Sequence, residues 1–194
     1  MQTLILGIGN LLWADEGFGP RCIEALAETC RLPPSVRLLD GGTQGLYLLP
    51  FLEEAQAMIV FDAIDYGLPP GTLRRIEGDE VPAFMGAKKM SLHQTGFQDV
   101  VATARLLGRC PERMVLIGCQ PVELEDFGGS LRPETAARIP QALEMALQVL
   151  AEWGVPVAPG RTPTDDLADA ALRREAYERS EEHTSELQSH ACIS

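Results

Sequence analysis

Three short runs, Thr3 to Leu6, Ala57 to Phe61 and Met114 to Ile117, stay apolar without alternating, and this constrains the fold of the chain most. A strand with one wet face alternates apolar and polar residues, whereas a short unbroken apolar run bounded by turn residues fits a strand covered on both faces, as in a parallel sheet. Helical patterns fill the gaps between such runs. Cys22, Ile23, Leu26 and Ala27 recur at helical spacing between Pro20 and Cys30, with Gly19 and Pro20 at the start. Val36 to Leu39 reads as another strand, stopped by Asp40-Gly41-Gly42, and Leu46, Leu49, Phe51 and Leu52 mark a helix over Thr43 to Glu54 that Pro50 bends or splits. Thr72, Arg74 and Glu77 against Leu73 and Ile76 read as an exposed edge strand. Asp79 to Met90 reads as irregular; Ser91 and Gln94 then match a capping box for a helix over Leu92 to Leu107, closed by Gly108. Ile139, Leu143, Ala146, Leu147 and Leu150 line one face of a helix over Glu134 to Trp153. Strands alternating with helices predict an α/β fold: a single-domain three-layer sandwich, its five-stranded sheet mostly parallel, with helices on both faces.

With 194 residues the chain fits one domain. A formal net charge of -12 opposes binding to nucleic acid or an anionic membrane surface. No apolar run approaches the roughly 18 residues of a membrane span, and Met1 to Asn10 lacks the basic start of a signal peptide. A cytoplasmic monomer is expected. The cysteines, Cys22, Cys30, Cys110, Cys119 and Cys192, form no C-x-x-C pair and read as reduced thiols. The folded domain is assigned to residues 1–154 and a linker with a loose segment to 155–178, on the prolines and glycines between Gly154 and Thr164. From Arg179 the string RSEEHTSELQSHACIS resembles the in-frame translation of a sequencing-library adapter, so 179–194 is read as non-native. His183, His190 and Cys192 are therefore left out of any site, and His93 is the one histidine of the folded part. Resequencing the locus tests this, and genomic codons running through Ser194 overturn it.

The first loop, GIGNLLWADEGFG, invites a dinucleotide-binding reading. The third glycine of that fingerprint falls at Leu12, and the acids of WADEG would meet a phosphate with like charge, so the glycines read instead as a tight turn needing positive φ. Singly, Glu16 is an acid favoured near a helix N-terminus, Asp62 a cap or turn residue closing a strand, and His93 a partly exposed helix residue beside a capping serine. Each also sits where a strand hands over to a loop or helix, and open α/β sheets bind ligands at the carboxyl ends of their strands. The positive helix end keeps the His93 imidazole neutral and able to donate to a metal. Two carboxylates and an imidazole suit a divalent transition ion such as zinc or nickel, with positions left open for water or substrate, which is a catalytic rather than a structural arrangement. Neither H-E-x-x-H nor G-x-S-x-G occurs. Cys119 as a nucleophile with His93 as its base is weighed against a small buried core cysteine, the commoner case.

Five segments carry a resemblance: GIGNLLWADEGFG, DGGTQG from Asp40, FDAIDYG from Phe61, MSLHQTGFQ from Met90 and GCQPVELEDFGGSL from Gly118. In order and spacing, over Met1 to Gly154, the chain resembles the nickel-iron hydrogenase maturation endopeptidases, nearest the type serving membrane-bound uptake hydrogenases. The resemblance implies an endopeptidase that removes the C-terminal extension of the hydrogenase large-subunit precursor once nickel is in place. It implies Glu16, Asp62 and His93 as catalytic and metal-contacting residues. It also implies nickel supplied by the precursor, with zinc or another divalent ion as a substitute, and a substrate groove shaped by Asp40, Gly41 and Gly42. A chaperone that binds nickel or the precursor without cutting is the alternative. Cys119 stands where the family pattern leads one to expect an apolar residue such as valine.

Overall fold

A computed structural model describes residues 1–42, 45–82 and 92–163, with backbone alone at 45–46 and 92–96. The elements run β1 (Thr3–Ile8), a 3-10 turn (Ala14–Gly17), α1 (Phe18–Thr29), β2 (Cys30–Arg31), β3 (Val36–Gly42), a second 3-10 turn (Gly45–Leu48), α2 (Leu49–Glu54), β4 (Ala57–Ala63) and β5 (Leu73–Glu77). After them come α3 (Leu92–Leu106), β6 (Arg113–Cys119), α4 (Pro133–Ala136), α5 (Ile139–Glu152) and β7 (Ala158–Pro159). The main sheet has the order β3-β1-β4-β6-β5. Its first four strands are parallel, and β5 lies antiparallel on β6 at the edge.

The unbroken apolar runs occupy the middle of this sheet. Every residue of β1 and β4 is buried, as is β6 after Arg113. Side chains alternate between two cores, because successive residues of a strand point to opposite faces. Ile5, Ile59, Phe61, Val115 and Ile117 pack with Phe18, Ile23 and Leu26 of α1 and Leu143, Ala146 and Leu150 of α5. Leu4, Leu6, Met58, Val60 and Leu116 pack on the other side with Leu52 of α2 and Phe97, Val100 and Ala104 of α3. Burying each large apolar side chain stabilises the fold by about 1.5–3 kcal/mol. The expected three-layer α/β sandwich is what forms.

Four local readings are refined. Pro50 does split its segment, since it stands in the first turn of α2, where no amide hydrogen is needed. The single helix expected over Glu134 to Trp153 is two, α4 and α5, with Pro140 in the first turn of α5. Its ring would collide with the carbonyl of Ala136 in a continuous helix. β3 is not stopped at Asp40 but continues through Gly41 to Gly42, with a register shift that pairs Gly7 with Asp40 and Ile8 with Gly42. The first part of the proline-rich stretch after Gly154 is pinned to the body: β7 pairs with β2, and the Thr162 hydroxyl donates to the Cys30 carbonyl at 2.6 Å. Ser91 and 83–90 lie outside the described residues, as do 164–194. Among the described residues, no helix is long and apolar enough to cross a membrane.

The two glycines of the first loop differ in role. Gly9 has φ +138°, as the turn reading requires, but Gly7 belongs to β1 and serves close approach. A Cβ on Gly7 would lie 2.5 Å from the Gly19 carbonyl oxygen, and one on Gly19 would lie 2.3 and 2.5 Å from the carbonyl oxygens of Ile8 and Phe61. Helix α1 thus starts in backbone contact with β1 and β4, and an alanine at either position would force them apart.

Candidate active site

β1, β4 and β6 end at one edge of the sheet, in register: Gly7 beside Phe61, Asp62 beside Gly118, Ala63 beside Cys119. The loop leaving β1 folds over that edge. Asn10 begins it as an Asx turn, its Oδ1 accepting from the Leu12 N–H at 3.0 Å, and the Glu16 N–H donates to the Trp13 carbonyl at 2.9 Å. Ala14 sits between at φ +30°, a conformation that L-residues hold only where their surroundings impose it. The resulting 3-10 turn packs against the end of β4 and buries Glu16 to 8% exposure.

Asp62 is 2% exposed and, by alternation with Met58 and Val60, faces the α3 side of the sheet. His93 is the second residue of α3. The short connection from Leu106 to Arg113 sets the end of α3 near the start of β6, so the first turn of α3 lies toward the edge that carries Asp62. The fold therefore directs Glu16, Asp62 and the backbone of His93 to one end of the sheet; the His93 side chain lies outside the described residues. Among the described residues no group of three His, Cys, Asp or Glu side chains suited to a metal ion occurs. Glu16 and Asp62 nevertheless fit the oxygen part of such a ligand set, because a divalent cation is a counter-charge that lets two buried carboxylates stay ionised together.

The Asp40-Gly41-Gly42 turn stands beside the end of β1 on the side away from β4. Asp40 Oδ1 accepts from the Gly42 N–H at 2.9 Å. Its carboxyl is pushed up from 3.8 to about 6, first by burial and then by the neighbouring Glu24, against the Gly42 hydrogen bond and the nearby Arg21 guanidinium. Arg21, itself buried, is bonded to Glu24 at 2.9 Å.

Two residues not singled out from the sequence hold the edge together. Asp15 is fully buried and accepts three backbone N–H bonds, from Val122 and Glu123 on Oδ2 at 2.7 and 3.1 Å and from Arg132 on Oδ1 at 2.8 Å. It locks the loop after β6 onto the loop after β1. Gln120 does the same for the turn after β4: Oε1 accepts from the N–H groups of Tyr66 and Leu68 at 2.7 and 3.1 Å, and Nε2 donates to Asp65 at 3.0 Å. Nothing in the spacing marks either residue, since their partners are distant in sequence.

Tyr66 lies over Gly118, where a Cβ would come within 2.0 Å of its hydroxyl. Burial, and then the negative Asp62, push its phenol well above the ordinary value, so it stays protonated on the Asp62 side of the sheet. Cys119 is a fully buried thiol pushed up to about 12, chiefly by burial and then by Asp15. A thiol held protonated in this way is a core residue and not a nucleophile. Among the described residues Cys22, Cys30, Cys110 and Cys119 are all free.

Fold and strand ends together define a class: a small α/β sandwich whose strand ends present buried carboxylates, in a sequence without the G-x-S-x-G serine elbow. Residues 20–149 match the family described as hydrogenase maturation protease. The chain is 67% identical over 178 residues to the hydrogenase expression/formation protein HupD of Rhodobacter capsulatus, covering 92% of this chain and 85% of that one. Its fold is similar to that of the hydrogenase maturating endopeptidase HybD from E. coli, with a TM-score of 0.77 and 40% identity over 82% of this chain and 98% of HybD. It is also similar to the [NiFe] hydrogenase maturation protease HybD from Thermococcus kodakarensis, with a TM-score of 0.61 and 28% identity over 77% and 99% of the two chains. The chain belongs to the hydrogenase maturation protease family, and peptide hydrolysis in hydrogenase assembly is its class of activity.

Two outcomes follow from this geometry. Asp15→Ala leaves three part-buried N–H groups without their acceptor and should cost about 1–3 kcal/mol in urea unfolding, with new protease cleavage within 121–132; an unchanged midpoint would show that the loop is held otherwise. For Asp40, the folded chain binds the proton more tightly than the unfolded chain, so the ionised carboxylate is a penalty that grows as pH rises from 3.8 to about 6. Asp40→Asn keeps the acceptor for Gly42 and should gain stability on the wild type as pH rises from 3.8 to about 6 and hold that gain above it, whereas parallel stability curves would show no penalty.

Proposed function

We propose that this chain removes the C-terminal extension of a nickel-iron hydrogenase large-subunit precursor, and that nickel already inserted in the precursor licenses the cut. The observation that carries this reading is the pair of buried carboxylates, Glu16 and Asp62, at the strand ends near which the first turn of α3, with His93 second in the helix, begins. Nickel here is part of the substrate. Glu16, Asp62 and His93 meet it as a recognition tag, so a nickel-free precursor lacks the contact that seats its tail. Zinc or another divalent ion of similar ligand preference can take the same donors.

Held against these residues, the metal supplies Lewis acidity toward the scissile carbonyl or a nearby water. The chain supplies the rest. Asp62 accepts the proton of the attacking water and passes it to the departing amine, Glu16 offers a second anionic oxygen, and the Asp40-Gly41-Gly42 end of β3 borders the groove for the substrate's tail. The protein acts in the cytoplasm as a monomer.

Asp62→Asn removes the charge and keeps the volume. It should lower the rate of processing by about 100-fold or more with an unchanged melting curve. The measurement is mass spectrometry of nickel-loaded and nickel-free precursor incubated with each protein. Loss of a C-terminal peptide from the loaded precursor alone supports nickel gating, and equal cleavage of both removes it. Wild-type rates from Asp62→Asn would take Asp62 out of the mechanism.

A further inference from the structure

Beside the acidic edge lies a surface that is both apolar and rigid. Phe127 is 66% exposed and Val122 44% exposed, and the ring of Phe127 meets Trp13 edge-on with centroids 5.2 Å apart at 68°. Looseness of the loop does not explain this exposure. Trp13 and Phe127 form an antiparallel bridge, Gly128 N–H donates to the Leu12 carbonyl at 2.8 Å, and the Asp15 carboxylate holds Val122, Glu123 and Arg132. Leu106 and Tyr47 are also exposed, but the Trp13–Phe127 pair is fixed between two loops beside the candidate site, and a fixed apolar surface in that place marks where another molecule docks.

The loop from Pro121 to Arg132 carries three acids, Glu123, Glu125 and Asp126, and a single base, Arg132, which is bonded to Asp126. The chain as a whole is at -12. An occupant of this patch therefore pairs apolar side chains with lysine or arginine. The patch shares a turn with the candidate site, the Glu16 N–H donating to the Trp13 carbonyl.

We infer that Trp13, Val122 and Phe127, rimmed by Glu123 and Glu125, are the docking surface for the precursor polypeptide next to its scissile bond, a segment both apolar and cationic. This rests on the processing reading above and adds to it the chemistry of the segment that is gripped. Docking here lowers KM, while the buried carboxylates act on the bond.

The test compares wild type with Phe127→Ser, Val122→Ser and Glu125→Lys in titrations with nickel-loaded precursor at low and high salt, followed by saturating cleavage assays. Each position is exposed, and thermal melts confirm that each variant folds. Phe127→Ser should raise KM about tenfold or more with kcat changed less than twofold, and Phe127→Leu should restore most of the loss. Glu125→Lys should weaken binding and flatten its dependence on salt. Wild-type KM in both serine variants overturns the docking surface while leaving the processing reading intact. A wild-type dimer in sedimentation that Phe127→Ser dissolves assigns the patch to a second copy and overturns the inference as well. A wild-type protein that neither binds nor cuts the precursor overturns both readings.

Discussion

Backbone contact between the start of α1 and the ends of β1 and β4 is the constraint on which the site depends. Gly7 and Gly19 have no side chains because each occupies space already filled by a carbonyl oxygen, at 2.5 Å or less from where a Cβ would stand. This packing draws the turn Ala14–Gly17 down onto the sheet edge and makes Glu16 a buried carboxylate rather than a solvated loop acid. With side chains between helix and strand, the same loop would sit farther out and its acid would be shared with water.

A second level of order comes from hydrogen bonds between loops. Asp15 ties the loop after β6 to the loop after β1, and Gln120 ties the turn after β4 to the end of β6. Three successive strand exits are thus cross-linked without a disulfide. A carboxylate accepting several backbone N–H groups is among the stronger neutralising arrangements a protein interior offers, and it fixes geometry as well as charge. The energy goes into preorganisation, which lets the edge present Glu16, the Asp62 strand and the Trp13–Phe127 pair in constant relation.

Much of the fold was legible. The apolar runs around Ile5, Ile59 and Leu116 could be buried only from both sides, and Thr72 to Glu77 alternated as an edge strand does. Boundaries were less legible where proline decided them: Pro140 in an amphipathic stretch gives no hint from periodicity alone that the helix restarts there. Asp40 was read as a stop, yet the strand carries on through it, because a parallel neighbour offering hydrogen bonds outweighs the turn preference of Asp-Gly-Gly. The strand exits at Asp62 and after Gly7 were visible as positions where ligands bind in open α/β sheets.

By itself the sequence determined the layered α/β sandwich, the sheet-edge positions of Glu16 and Asp62, and the family pattern that relates them to His93. Only the tertiary structure decided what the neighbouring Asp15 does. Asp15 and Glu16 are identical in local signal, but Asp15 is spent on N–H groups more than a hundred residues away, and those long-range bonds are invisible to any window of sequence. The same holds for Val122 and Phe127, which read as ordinary apolar residues until the fold leaves them outside. Periodicity records which side of an element is buried, whereas the direction a loop side chain takes is set by contacts that exist only once the chain has closed.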